Sequence, residues 1–260
     1  MNDVIGFDCN TKLTLEKARQ FKDDGWDFVV RYVGRNTMAD HDIDINEKDT
    51  ILYAGLGLML VQHCPRKGYL HPSKDLGTRW GTNAREFSKA VEYEKGCILY
   101  QDLEDVNPEY KNKQSLIYDY VNYWAEQVYK YYVPGVYNGW NSFLSGEQLY
   151  RYLKVTHYWR GYNSPTDIMK RGYSLFQYAY GMKFGIQIDK NIMKADNFGE
   201  TPKFMKGRII PVDPKEEIRK EAKELLIKEL NLTFDYWDGV KYFDELLYKL
   251  GTLFEKWKKI

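Results

Sequence analysis

CILYQDLED, residues 97–105, decides the reading of the chain. Gly96 ahead of it is a helix stop, and the apolar, β-branched and aromatic run that follows reads as a strand ending in Asp102. If the extended run continues to Glu104, a side-chain period of two puts Asp102 and Glu104 on the same side. Working outward, the same kind of segment recurs. Val4–Asp8 is another short apolar run that ends in an acid. Asp27–Val33, Leu56–Gln62, Pro134–Tyr137, Val155–Trp159 and Tyr173–Tyr178 read as further strands, and Gly185–Asp189 as an eighth, again closed by an acid.

Helical patterns separate these strands. Thr14 caps a segment with Leu15, Ala18 and Phe21 at helical spacing, and Gly25 ends it. Asn46–Ala54, Thr82–Glu94, Lys113–Tyr131 and Ser145–Leu153 follow the same rule. Repeated strand–helix alternation argues for an α/β fold with a parallel sheet. Eight strands within residues 1–200 fit a closed barrel of the (β/α)8, TIM-like type. An open doubly wound sheet is the second choice. It would want a glycine-rich phosphate loop after the first strand, where this chain reads DCNTKLT.

Beyond Gly199 the character changes. Residues 206–214 read as a linker with two prolines. Two amphipathic helices are then expected, so that residues 206–260 form a helical C-terminal extension. The stripe of Phe243, Leu246, Leu247, Leu250, Leu253, Phe254 and Trp257 within 240–257 must bury against something. Packing on the barrel, self-association, a protein partner and a membrane surface are all open.

Composition narrows the function classes. The net charge of +1 does not call for a nucleic-acid partner. No apolar run approaches the ~20 residues of a membrane span. The N-terminus MNDVIGFDCN lacks the pattern of a signal peptide, so the expectation is synthesis as a soluble cytoplasmic protein, with release or carriage on a particle if it acts outside. Three cysteines, Cys9, Cys64 and Cys97, do not suggest a disulfide framework, and no spacing resembles a zinc site. Neither a cofactor nor a metal is expected. Tyr occurs 23 times and Trp 7 times, an abundance that suits stacking on sugar faces as well as packing.

Asp8, Asp102 and Asp189 end three predicted strands. In a (β/α) barrel such positions share one mouth, where active sites lie. Clustered carboxylates suit glycosidic cleavage: one stays neutral to protonate the leaving oxygen, and another stays charged. Like charges held together push their pKa values apart, which creates the two roles. Divalent-metal binding is the competing use of such a cluster.

Taken in order, GFD (6–8), FVVRY (28–32), AGLGLMLVQ (54–62), ILYQDLED (98–105), PGVYNG (134–139) and QYAYGMKFGIQIDKN (177–191) resemble the glycoside-hydrolase-like barrels related to the family 25 lysozymes. The resemblance covers residues 3–195. It implies that Glu104 is the general acid of a muramidase-like hydrolase acting on peptidoglycan or a related N-acetylated glycan. Asp102 then serves as electrostatic partner or orients the acetamido group, while Asp8 and Asp189 match the first-strand and late-strand acids. Gln177 and Tyr178 match a pair near the sugar, and Tyr137 and Trp159 match aromatic positions at strand ends. His63 is read as lining the mouth. Arg31, inside the second strand, either pairs with barrel acids or contacts substrate. The alternative function is a catalytically inactive glycan-binding or structural module that uses the same mouth.

Overall fold

Thr14, Asp44, Ser73 and Ser145 each stand immediately before a helix, and each side chain accepts a hydrogen bond from the backbone N–H three residues on. These caps satisfy donors that the first helical turn leaves free. In the computed structural model, which describes residues 4–65, 68–161, 164, 167–208 and 251, they start α1 (Leu15–Asp23), α2 (Ile45–Tyr53), α3 (Lys74–Ala90) and α5 (Gly146–Tyr152). The remaining helix, α4 (Gln114–Val128), has no side-chain cap. The strands are β1 (Val4–Asp8), β2 (Phe28–Val33), β3 (Gly57–Gln62), β4 (Ile98–Leu103), β5 (Val133–Asn138), β6 (His157–Arg160), β7 (Leu175–Lys183) and β8 (Ile186–Met193).

The eight strands close into a barrel in sequence order. Neighbours from β1 to β7 are parallel. The expectation of an all-parallel barrel needs one correction: β8 runs antiparallel to both β7 and β1. The cause is local. Phe184 and Gly185 take φ of 51° and 76° between the two strands. Two successive residues with positive φ make the tight turn that suits a hairpin, and a hairpin forces antiparallel pairing. Asp189 therefore sits inside β8 instead of at its C-terminal end.

Strand alternation divides the core. Phe28, Val30, Met59, Val61, Ile98, Tyr100, Trp159, Leu175 and Met193 fill the barrel. The opposite faces of the same strands carry Val29, Val33, Leu58, Leu60, Leu99 and Val136, which pack against the helices. Residues 201–208 cross the lower end, where Leu58 bridges Met205 and the Phe28 and Phe204 rings lie 5.8 Å apart.

α3 begins eight residues earlier than the helical reading of 82–94. Gly77 and Gly81 lowered the helix signal there. The structure shows their use. A Cβ at Gly77 would lie 2.2 Å from the Tyr120 carbonyl oxygen, and one at Gly81 2.5 Å from that of Trp124. Glycine lets the α3 and α4 backbones approach each other.

The chain divides into two units, Met1–Ile209 and Ile210–Ile260, and the barrel is the first. From residue 209 onward the expected helical extension, including the stripe at 240–257, lies outside the described residues, Gly251 excepted. Among the described residues, no helix is long and apolar enough to cross a membrane.

Candidate active site

Strand register brings the acids to one end. Asp8 pairs directly with Asp189 across the β1–β8 seam. Asp102 pairs with Tyr137, and Tyr137 with Trp159, around the same rim. Tyr32, Val61, Asp102, Glu104, Tyr137, Trp159, Gln177 and Asp189 line a cleft of about 70 Å³. That is far below the roughly 300 Å³ of an ordinary ligand pocket. The cleft can take a substituent of a ligand, while a whole sugar ring has to sit above it.

Asp8 is buried and fully engaged. Its Oδ1 accepts from the Tyr32 hydroxyl at 2.8 Å. Its Oδ2 accepts from Asn191 at 2.8 Å and from Gln177 at 3.1 Å. Burial, followed by the facing charge of Asp189, pushes Asp8 up to about 7, although these hydrogen bonds pull the other way. Like charges directly opposite on neighbouring strands repel. Burial also raises Asp189.

Asp102 and Glu104 form the second pair. Oxygens of the two carboxylates and the Cys64 sulfur all lie within 4.8 Å of one another. Asp102 Oδ2 accepts from the Cys64 backbone N–H at 3.3 Å, and the Cys64 thiol lies 3.5 Å from Glu104 Oε1. Asp102 Oδ1 is buried without a hydrogen-bond partner among the described residues. Burial first, then the Glu104 charge, drives Asp102 well above the usual carboxylate range. Glu104 is raised as well, by burial and then by Asp105 and Asp189, against hydrogen bonds from Cys64 and the Trp140 backbone. It is less buried than Asp102, so it meets solvent at the mouth. A Cβ at Gly139 would lie 2.4 Å from Glu104 Oε2, so only glycine leaves room for this rotamer.

The other sequence candidates divide. Tyr137 donates to Gln177 Oε1 at 3.0 Å and packs edge-on against Trp159 at 4.7 Å. Trp159 donates its indole N–H to Asn191 at 2.8 Å. These three therefore join the cluster. His63 lies on the rim, its ring stacked on Tyr32 at 4.4 Å. Arg31 does not reach the mouth. Phe28, Val30 and Tyr32 point inward on β2, so period two turns Arg31 outward to the helix layer. It is fully buried there, with Nε 2.7 Å from Glu47 Oε1 of α2 and further bonds to the backbone oxygens of Cys9 and His41. Its partner is a helix acid and not a barrel acid. Tyr178 also misses the cleft. Gln177 pairs with Asn191 and Ala179 with Lys190, so Tyr178 is the extra residue of a bulge, and it is exposed.

That bulge shifts the alternation of β7. Tyr180 then lies opposite Asp189, on the cleft face and 70% exposed. Sequence reasoning chose Tyr178 and missed Tyr180, as it missed Tyr32, Cys64 and Asn191. A larger void of about 700 Å³ at the other end of the barrel is lined by residues 201–208 and holds one carboxylate, Glu94, paired with Lys203 at 3.1 Å. It offers no acid pair.

The closed eight-stranded barrel gathers its carboxylates at one mouth, as a glycoside-hydrolase-like domain would. The chain belongs to the family described as Rv2525c-like, glycoside hydrolase-like domain, which matches residues 19–193. Similar solved structures include the Mycobacterium tuberculosis Tat-secreted protein Rv2525c in complex with HEPES, at 17% identity over 79% of this chain and 98% of that one, with a TM-score of 0.58. A B. stearothermophilus protein is similar at 15% identity over 74% and 96%, with a TM-score of 0.56. A muramidase from Trichobolus zukalii gives 13% identity over 74% and 93%, with a TM-score of 0.47. No curated protein matches the chain.

Proposed function

We propose that the chain is a glycosidase of the lysozyme type, cleaving peptidoglycan or a related N-acetylated glycan with Glu104 as general acid. The observation that carries this reading is the unpartnered, buried Asp102 Oδ1 beside Glu104 in a cleft sized for a substituent. An acetamido N–H supplies the hydrogen bond that this oxygen lacks. Its carbonyl oxygen is then aimed at the anomeric carbon. Glu104 donates its proton to the bridging oxygen as the C–O bond breaks, and the acetamido oxygen attacks from the other face. Water opens the resulting ring and returns a proton to Glu104. Asp102 Oδ1, by holding the acetamido N–H, orients the attacking oxygen.

Raised pKa values fit a proton donor that stays neutral near its working pH. Tyr137 forms one wall for the sugar, backed by the buried Trp159 ring. Tyr180 extends the opposite wall above Asp189. The tuberculosis relative is a secreted protein, which agrees with a substrate outside the cytoplasm.

The test compares wild type with Glu104→Gln on purified bacterial cell walls, counting new reducing ends. Release by wild type alone supports the reading. Release by neither, at enzyme excess from about pH 4 to about pH 8, removes it for this substrate and leaves the glycan-binding module.

A further inference from the structure

His41, Asp42 and His63 converge beside the mouth, and neither the fold nor the proposed hydrolysis uses them together. Their meeting follows from register. Val33 and Gln62 end β2 and β3 side by side, so the segments leaving the two strands run next to each other. The His63 backbone N–H still donates to the Val33 carbonyl at 3.2 Å. Asp42 is buried, and its Oδ2 is fixed by the Ala39 N–H at 2.7 Å. Its Oδ1 faces both imidazoles, 2.9 Å from His63 Nε2 and 3.9 Å from His41 Nε2. Stacking on Tyr32 at an interplanar angle of 17° sets the His63 ring, and the His41 ring meets it edge-on at 5.5 Å.

We propose that His41, Asp42 and His63 form a site for a divalent transition-metal ion of the zinc type, with two imidazole nitrogens and one carboxylate oxygen as ligands. One ligand atom from each residue lies within 4.8 Å of the others. Bonds of about 2.0–2.1 Å in a tetrahedral zinc site put ligand atoms roughly 3.3 Å apart. The His63–Asp42 pair is already closer than that. His41, whose side chain is half exposed, has room to swing inward. Two nitrogens and one oxygen select zinc, cobalt, nickel or copper over calcium and magnesium, which favour all-oxygen shells. The Ala39 N–H on the second carboxylate oxygen gives Asp42 the outer support that metal-binding carboxylates have. The exposed side of His41 leaves the fourth position to water or to an incoming ligand. On binding, the ion takes the place of the hydrogen bond between His63 Nε2 and Asp42 Oδ1. Spacing gave no sign of this site, because only β2–β3 pairing brings the residues together. It stands independently of the hydrolase reading.

The full chain, purified without a histidine tag, is titrated with zinc by calorimetry and with cobalt by visible absorption. The expected result is saturable uptake of one ion per chain, weakened at least about tenfold by His41→Ala and by His63→Ala. Cys64→Ser is expected to leave uptake unchanged, which separates this site from the Cys64–Asp102–Glu104 cluster. Circular dichroism of His41→Ala, an exposed position, verifies that its loss of uptake is not unfolding. No uptake by wild type overturns the proposal. Uptake that survives both histidine variants, or that is lost in Cys64→Ser, overturns it too.

Discussion

Arg31 and the mouth acids are both buried charge, yet they are handled in opposite ways. In the outer layer, Arg31 meets Glu47 through two contacts, at 2.7 and 3.2 Å, and the backbone oxygens of Cys9 and His41 take two further donors. At the mouth, no Lys or Arg among the described residues pairs with Asp8, Asp102, Glu104 or Asp189. Charge that is matched holds elements together. Unmatched charge is relieved by taking up protons, and a retained proton is what acid catalysis needs.

The outer layer gives the sharpest break. Arg31→Met leaves Glu47 buried without its cation. Breaking one partner of such a pair costs about 3–5 kcal/mol, a substantial part of the roughly 5–15 kcal/mol that holds an ordinary domain, and urea unfolding is expected to show that loss. An unchanged midpoint would mean that the pair contributes nothing. On the mouth side, Glu104→Gln is expected to lower turnover by about 10²–10⁴-fold, while the urea midpoint stays within about 1 kcal/mol of wild type. A comparable loss of stability would make Glu104 structural and erase the contrast.

Asp8 tests the uncompensated charge through pH. Its folded pKa is about 7 against an ordinary value of 3.8, so between those values the folded state holds a proton that the unfolded state has lost. Its contribution to stability is therefore complete below pH 3.8 and is lost as pH rises toward 7. The upper bound is about 4 kcal/mol, at 1.36 kcal/mol per pKa unit. Urea midpoints of wild type should fall between pH 5 and pH 8, by more than those of Asp8→Asn. Parallel curves for the two proteins would remove Asp8 as the cause. The smallest effect belongs to Tyr180→Ala. Loss of one exposed stacking contact should raise KM by roughly 3–10-fold, with kcat and the urea midpoint unchanged. A fall in kcat instead would place this ring at the reacting bond.

Eight strands and five intervening helices could be read from period and caps alone. Asp8, Asp102 and Glu104 stood out because each lies at or just past the end of an apolar strand. Arg31 could have been placed correctly as well, since Phe28, Val30 and Tyr32 already form the inward set. Other features were hidden for physical reasons. Strand direction at β8 rests on a Phe-Gly turn, which lacks the Asn-Gly or Asp-Gly signature of hairpins. The choice of Tyr180 over Tyr178 rests on a bulge, and one extra residue reverses the alternation beyond it. Tyr32, Cys64 and Asn191 gain meaning only after strands distant in sequence become neighbours.

The β7–β8 hairpin has a consequence for synthesis on the ribosome. Closure needs β8 paired on both sides, and β8 is the last strand of the barrel to be made. Until Met193 has emerged, every nascent chain carries open edges on β1 and β7, with unpaired backbone groups that invite wrong partners. A hairpin suits that moment. It forms locally within about 1–10 μs, so β8 reaches the waiting edge of β1 already ordered, and the longest-range pairing of the barrel becomes a single docking step.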